Sequence, residues 1–434
     1  MKKSKKDSAR IKTIDAFQVF DSRGNPTLEA EVCLENGVIG RAIVPSGAST
    51  GQFEALELRD GNPLRFNGKS VFHAVKNVKQ HIAPALKGHL VEQEKLDQLM
   101  CELDSTSNKQ HLGANAILGV SMAIARAKAS HLNIPLFVSL TEGTGNLLPL
   151  PEIQIIGGGA HSGGRIDIQD FMIICTGAES YDECLEMTWN VYFKCGELLR
   201  KSGQFAGVAD EGGYWPDFEK NEDVFDTLLE AIERAGYQPG RDIHLSLDIA
   251  ASEFYEDGRY HLSLEGKSLT PDQFYQLIAE WCRTYPIISI EDPFGESDTS
   301  NWTKFTAEFG NSVQIVGDDL FTTDVERVRI GYNSRLANSV LIKPNQIGTV
   351  SETMACIRQT QKFGWNPVVS ARSGETEDAF IAHLAVAANV GQFKVGSFSR
   401  SERMVKWNEI IRIARQLGSE ARFKGGNILP IGVQ

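Results

Sequence analysis

The sequence predicts an α/β protein in two parts, an N-terminal α+β capping domain followed by a (β/α)8-type barrel. Three observations carry that expectation. At 434 residues, the chain exceeds the ~250–300 residues over which a single hydrophobic core keeps growing. Its first third reads as strands and then helices. From Pro149 onward, short apolar runs alternate with longer amphipathic ones, the signature of βα units.

Residues 1–10 carry Lys2, Lys3, Lys5, Lys6 and Arg10 without the apolar core of a signal peptide, and read as a mobile, solvated tail. The N-terminal domain is expected over 11–145. Within it, Thr27 to Leu34 and Val38 to Val44 flank a turn at Asn36-Gly37 and form a hairpin. Segments near 70–86, 91–103 and 113–131 place apolar residues three and four apart and read as helices.

The barrel is expected over 146–434. Its strand candidates are Ile153–Ile156, Ile168–Ile174, Phe205–Val208, His244–Leu247, Ile287–Ile290, Val313–Val316, Ser339–Ile342, Pro367–Ser370 and Phe393–Val395. About eight of these closing on themselves make the barrel. An open doubly wound sheet is the alternative, but no Gly-x-Gly-x-x-Gly follows the first strand and opens a helix.

Lys and Arg total 44 against 56 Asp and Glu, and a net charge of −12 argues against a nucleic-acid footprint or an anionic membrane partner. An anionic substrate then needs a local cationic site. The apolar stretch Leu112 to Ala129 is interrupted by Asn115, Ser121, Arg126 and Lys128, so it reads as a buried helix rather than a membrane span. Seven cysteines form no Cys-x-x-Cys pair and no metal-ligand spacing, which makes reduced thiols and a cytoplasmic setting the expectation.

Ionisable residues fall at the ends of apolar runs. Asp248, Glu291 and Asp318 close three successive strand candidates, and Lys343 closes the next. Strand ends are where barrels of this kind keep their chemistry. Taken singly, each acid also reads as a helix N-cap. Three together at one rim repel unless a cation sits among them, and an all-oxygen set suits Mg²⁺ better than Zn²⁺. A lysine beside such cations is pulled from ~10.4 toward ~7–8, where it works as a base. Lys394 supplies a second positive charge, and the pair suits an enolate. The segment Gly157 to Gly164 is too irregular for a phosphate-binding loop; it reads as a mobile loop with His161 exposed at its tip.

Seven motifs, in order across nearly the whole chain, resemble the enolase family. They are Asp21-Ser-Arg-Gly-Asn-Pro-Thr, Pro45-Ser-Gly-Ala-Ser-Thr-Gly, Ala209-Asp-Glu-Gly-Gly-Tyr, Ser289-Ile-Glu-Asp-Pro-Phe, Val316-Gly-Asp-Asp-Leu-Phe, Leu341-Ile-Lys-Pro-Asn-Gln-Ile-Gly and Arg372-Ser-Gly-Glu-Thr-Glu-Asp. The resemblance implies reversible dehydration of 2-phosphoglycerate to phosphoenolpyruvate with two Mg²⁺ per active site. It implies that Asp248, Glu291 and Asp318 hold the first ion, and that Ser49 helps hold the second with the substrate phosphate. By the same resemblance Lys343 takes the C2 proton, Lys394 holds the carboxylate, and Glu211 helps the C3 hydroxide leave. Arg372 and Ser373 grip the phosphate, while Gln169, His161 and Asp170 line the pocket. It also implies a homodimer or an assembly of dimers.

Four positions depart from the family pattern. Ala371 stands where the family has histidine, Asp170 where it has Glu, Gly157 where it has Asn, and Ala209 where it has Gly. Asp170 draws its carboxyl back by about one methylene, on the side where the hydroxide leaves. A shift of an ångström there costs ~10²-fold or more. Two other readings follow. One is a paralogue acting on a phosphonate or related phospho-acid, on the pattern of carboxyphosphonoenolpyruvate synthase. The other is a non-catalytic protein that keeps the fold.

Overall fold

The computed structural model describes residues 9–48, 51–141, 143 and 145–431, so Ser49 and the lysines of the opening tail lie outside the described residues. The N-terminal sheet is an antiparallel meander of β1 (Ile11–Phe20), β2 (Pro26–Leu34) and β3 (Ile39–Ile43). Its hairpin turns at Gly37, whose φ of 83° needs a residue without a Cβ. Leu28, Ala30, Val32 and Leu34 alternate along β2 and are buried.

Against this sheet lies the largely buried helix expected from the Leu112–Ala129 stretch, α2 (Ala114–Leu132), preceded by helical turns over 72–86 and by α1 (Gln93–Asp104). The contact is close enough that a Cβ on Gly40 of β3 would meet the Ala123 carbonyl oxygen at 2.2 Å.

Among the described residues, eight strands close the barrel: β4 (Leu150–Gly157), β5 (Asp170–Ile174), β8 (His244–Asp248), β9 (Ile287–Glu291), β10 (Gln314–Gly317), β11 (Ser339–Ile342), β12 (Asn366–Ser370) and β13 (Gln392–Ser397). Parallel pairing of β13 with β4 completes the ring. Ile, Val and Leu dominate these runs, as strands buried on both faces require.

Two details differ from a uniform βα alternation. β5 is antiparallel to both neighbours, because β4 reaches it through a loop with no crossover helix to restore the direction. Its regular pairing begins at Asp170 rather than at Ile168. The expected strand Phe205–Val208 is also not in the ring. It forms β6, paired with β7 (Tyr214–Pro216) in a hairpin attached beside β4. Two helices, α3 (Tyr181–Ser202) and α4 (Glu222–Arg234), therefore separate β5 from β8. The reversed strand puts its first residue, Asp170, on the rim where the other strands end.

Candidate active site

Strand register sets three acids side by side, with Asp170 opposite Asp248 and Asp248 opposite Glu291. Lys394 of β13 reaches into them. Its Nζ lies 2.8 Å from Asp248 Oδ2, 2.7 Å from Glu291 Oε2 and 3.7 Å from Asp170 Oδ2. Burial alone disfavours the ammonium, but Asp248, Glu291 and Asp170 raise Lys394 well above its ordinary value. Glu291 is pushed upward, by burial and then by the charge of Asp248. Its Oε1 is buried without a hydrogen-bond partner among the described residues.

Lys343, just past β11, forms an ion pair with Asp318, just past β10. Burial opposes charge on Lys343, yet Asp318 outweighs it and holds the lysine above its ordinary value. The other Asp318 oxygen accepts Gln346 Nε2 at 2.7 Å. Asp292 fixes the turn from below by accepting the backbone amides of Asp318 and Asp319 at 2.9 and 2.8 Å.

Arg372 and Ser373 lie where the N-terminal segment meets the barrel rim. Arg372 donates to the two Glu54 oxygens at 3.1 and 3.2 Å and to Asn345 Oδ1 at 3.0 Å. Ser373 Oγ accepts the Ala48 amide at 2.8 Å, and Ser46 and Gly374 exchange backbone hydrogen bonds at 2.8 and 2.9 Å. The N-terminal loop that leads to Ser49 is thus anchored on the barrel rim. Gln169 joins the acids by donating to Asp248 Oδ2 at 3.1 Å.

On the opposite side His161 is buried, not exposed as the glycines around it suggest. The short turn Gly159–Ser162 tucks it between two acids, with Nδ1 3.0 Å from Asp170 Oδ1 and Nε2 3.9 Å from Glu211 Oε1. Burial works against its charge, but Asp170 and Glu211 prevail and raise it to about 9. One small cavity is lined by His161, Gln169, Asp170, Glu211, Lys343 and Lys394, with Ala371, Arg372 and Ser373 on its other wall. The large cleft between 91–95, 125–140 and 350–358 shares none of these residues.

Among the described residues two acidic groups have ligand atoms close enough to share one ion: His161 with Asp170 and Glu211, and Asp292 with Asp318 and Asp319. Asp248, Glu291 and Asp318 face one another, but their oxygens are drawn to Lys394 and Lys343. The unpartnered Glu291 oxygen and the all-oxygen donor set fit a hard divalent cation. Sequence reasoning overlooked Glu54, Gln154, Asp292, Asp319 and Gln346. Gln154 at least left a trace, since Glu152 and Gln154 put polar residues at alternate positions of an otherwise apolar strand.

Comparison with known proteins agrees with the motif order. The family described as "Enolase, N-terminal domain" matches residues 11–140, and "Enolase, C-terminal TIM barrel domain" matches 145–430. A curated relative, "Enolase 1" of Desulfitobacterium hafniense (strain Y51), is 50% identical over 430 residues, covering 98% of each chain. No helix among the described residues is long and apolar enough to cross a membrane.

Proposed function

The chain belongs to the enolase family, and on that premise we propose how its rim performs the reversible dehydration of 2-phosphoglycerate to phosphoenolpyruvate. The observation that carries the proposal is the pair of lysines, Lys394 buried and Lys343 mostly so, held among strand-end carboxylates. A substrate with a carboxylate, a phosphate and an acidic C2 proton meets a matching charge at each position.

Arg372 turns its forked donors from Glu54 to the phosphate, with the Ser373 hydroxyl beside it. Lys394 binds the carboxylate. Lys343 takes the C2 proton; Asp318, which holds this lysine above its ordinary value, would have its charge offset by a divalent cation if it served as a ligand. Glu211 gives a proton to the departing C3 hydroxide. His161 and Asp170 order that side of the cavity, Gln169 orders the side of Asp248, and together they exclude water. Asp248, Glu291 and Asp318 are the residues to hold one Mg²⁺, with Ser49 helping to hold a second. When bound, the metal supplies the positive charge that makes a dianion at the carboxylate attainable. We extend the proposal to a cytoplasmic enzyme working as a homodimer or an assembly of dimers, with the N-terminal domain over 11–145 and the barrel over 146–434.

The alternative of a paralogue joining an enolpyruvyl unit to a phosphonate is not favoured, given 50% identity to an enolase along 98% of the chain. The test is the rise in enolpyruvate absorbance when the purified protein meets 2-phosphoglycerate and Mg²⁺, with an EDTA control. Metal-dependent turnover of roughly 1–10³ s⁻¹ is expected. No turnover in folded, Mg²⁺-loaded protein would overturn the assignment.

A further inference from the structure

The departures from the family pattern at Gly157, Asp170 and Ala209 are scattered in sequence but close around one side chain, Gln154 of β4. It is fully buried on the inner side of the ring. Its Nε2 donates to Asp170 Oδ1, the same oxygen that faces His161 Nδ1 at 3.0 Å. Its Oε1 accepts the Gly213 amide at 2.8 Å. Gly213 closes the turn that presents Glu211, through a hydrogen bond from the Ala209 amide to the Gly213 carbonyl at 2.8 Å.

The space for this amide exists because neighbouring residues are small. A Cβ on Gly157 would lie 2.6 Å from the Ala209 Cβ and 3.1 Å from Gln154 Nε2, and one on Gly213 would lie 2.4 Å from Gln154 Oε1. A larger residue at 157 needs Ala209 to shift, and one at 213 needs the glutamine itself to move.

From these contacts we infer that Gln154 is a positioning residue for the dehydration, spanning the gap that the shortened Asp170 leaves and tying Asp170 and His161 to the Glu211 turn. It does not touch the reacting atoms. It acts through Asp170, whose carboxylate orients His161, and through Gly213, whose amide sets the height of the Glu211 turn. Reach is the essential quantity. An asparagine at 154 withdraws the amide by one methylene from both partners, whereas a glutamate at 170 drives its carboxylate into the amide. Made together, the two changes conserve the summed length across the Gln154–Asp170 contact.

The inference rests on the dehydratase reading and is tested by a double-mutant cycle on the Mg²⁺-loaded enzyme with Gln154→Asn, Asp170→Glu and the pair. Each single variant is expected to lose ~10-fold or more in kcat, the cost of an ångström-scale misplacement. KM for 2-phosphoglycerate should stay within ~3-fold, because phosphate and carboxylate are held elsewhere. The pair should turn over at least ~10-fold faster than the product of the single losses, the mark of residues in contact. Melting temperatures of all four proteins accompany the kinetics.

Multiplying losses, an unchanged kcat in Gln154→Asn, or a kcat loss that merely follows the melting temperature and is not rescued by the second change would each overturn the inference. The two failures are distinguishable. An unmodified protein without turnover overturns the reaction assigned to the site, while an active one whose variants show no coupling overturns only the role of Gln154.

Discussion

Lys343 and Asp318 form an ion pair across adjacent strand ends, and Gln346 holds the second Asp318 oxygen at 2.7 Å. The proposed base is therefore stored as an acid. Its release depends on where the Asp318 charge is committed. Substituting Lys343→Ala should lower kcat by ~10²–10⁴-fold, the usual worth of a positioned base. Lys343→Arg should not restore it, since a guanidinium keeps the charge but does not surrender its proton. Exchange of the substrate C2 proton with deuterated solvent, followed by NMR, reads this step directly, and exchange at the native rate in Lys343→Ala would remove Lys343 from the role.

Glu211 lies on the other side of the cavity, 3.9 Å from His161 Nε2. In the proposed mechanism it acts after the C2 proton has left. In Glu211→Gln, net dehydration should fall by ~10²-fold or more while C2 proton exchange continues. Equal loss of both would place Glu211 in the first step instead.

Arg372 meets Glu54 through two donors, and the phosphate is expected to take the same fork. Lysine offers one point charge in its place. Arg372→Lys should raise KM for 2-phosphoglycerate by ~10–100-fold, since one charged hydrogen bond is worth ~1.5–3 kcal/mol. Initial rates over a range of substrate concentrations check this, and an unchanged KM would assign the phosphate to other residues.

Far from the site, Glu409 has His383 at 3.3 Å and Arg412 at 2.8 Å. The His383 hydrogen bond first, and Arg412 after it, hold Glu409 down to about 2 from an ordinary 4.5. A carboxyl depressed in the folded state stabilises the fold above its unfolded value and loses that contribution as pH falls through the folded one. Urea midpoints should therefore drop more steeply below about pH 4.5 for the native protein than for Glu409→Gln. Parallel curves would show that the pair contributes nothing.

The capping domain has its own sensitive point at Gly40. An added methyl there meets the Ala123 carbonyl oxygen at 2.2 Å and the Ala127 amide nitrogen at 2.4 Å, both backbone atoms that cannot rotate away. Gly40→Ala should cost ~3 kcal/mol, the upper end for overpacking, visible as a lowered melting temperature. A melting temperature within a degree or so of native would show that α2 shifts freely on its sheet.

The acids at Asp248, Glu291 and Asp318, and Lys343 after them, were legible because each follows an apolar run that ends at the rim, so local pattern and final position coincide. Asp170 was not legible that way. It precedes its apolar run, and only the reversed direction of β5 brings it to the same rim, so the resemblance rather than the pattern found it. His161 was misjudged as exposed because its burial comes from Asp170 and Glu211, which no local reading connects to it. Glu54 and Gln154 escaped for the same reason. Their meaning lies in Arg372 and in the pairing of Asp170 with Gly213, contacts made only after distant segments meet. Phe205–Val208 had the composition of a barrel strand, and composition does not say which sheet edge a strand joins.

The ring closes where Leu150 pairs with Gln392, partners drawn from the first and last strands of the barrel. Among the pairings of the barrel ring, this one closes the longest loop and so has the largest closure entropy to overcome. Lys394 lies within that seam, paired with Glu152, so sealing the ring and delivering the ammonium to Asp248 and Glu291 are a single event. An unsealed barrel leaves those acids facing each other without their counterion. The feature that equips the rim for chemistry thus also serves as its latch.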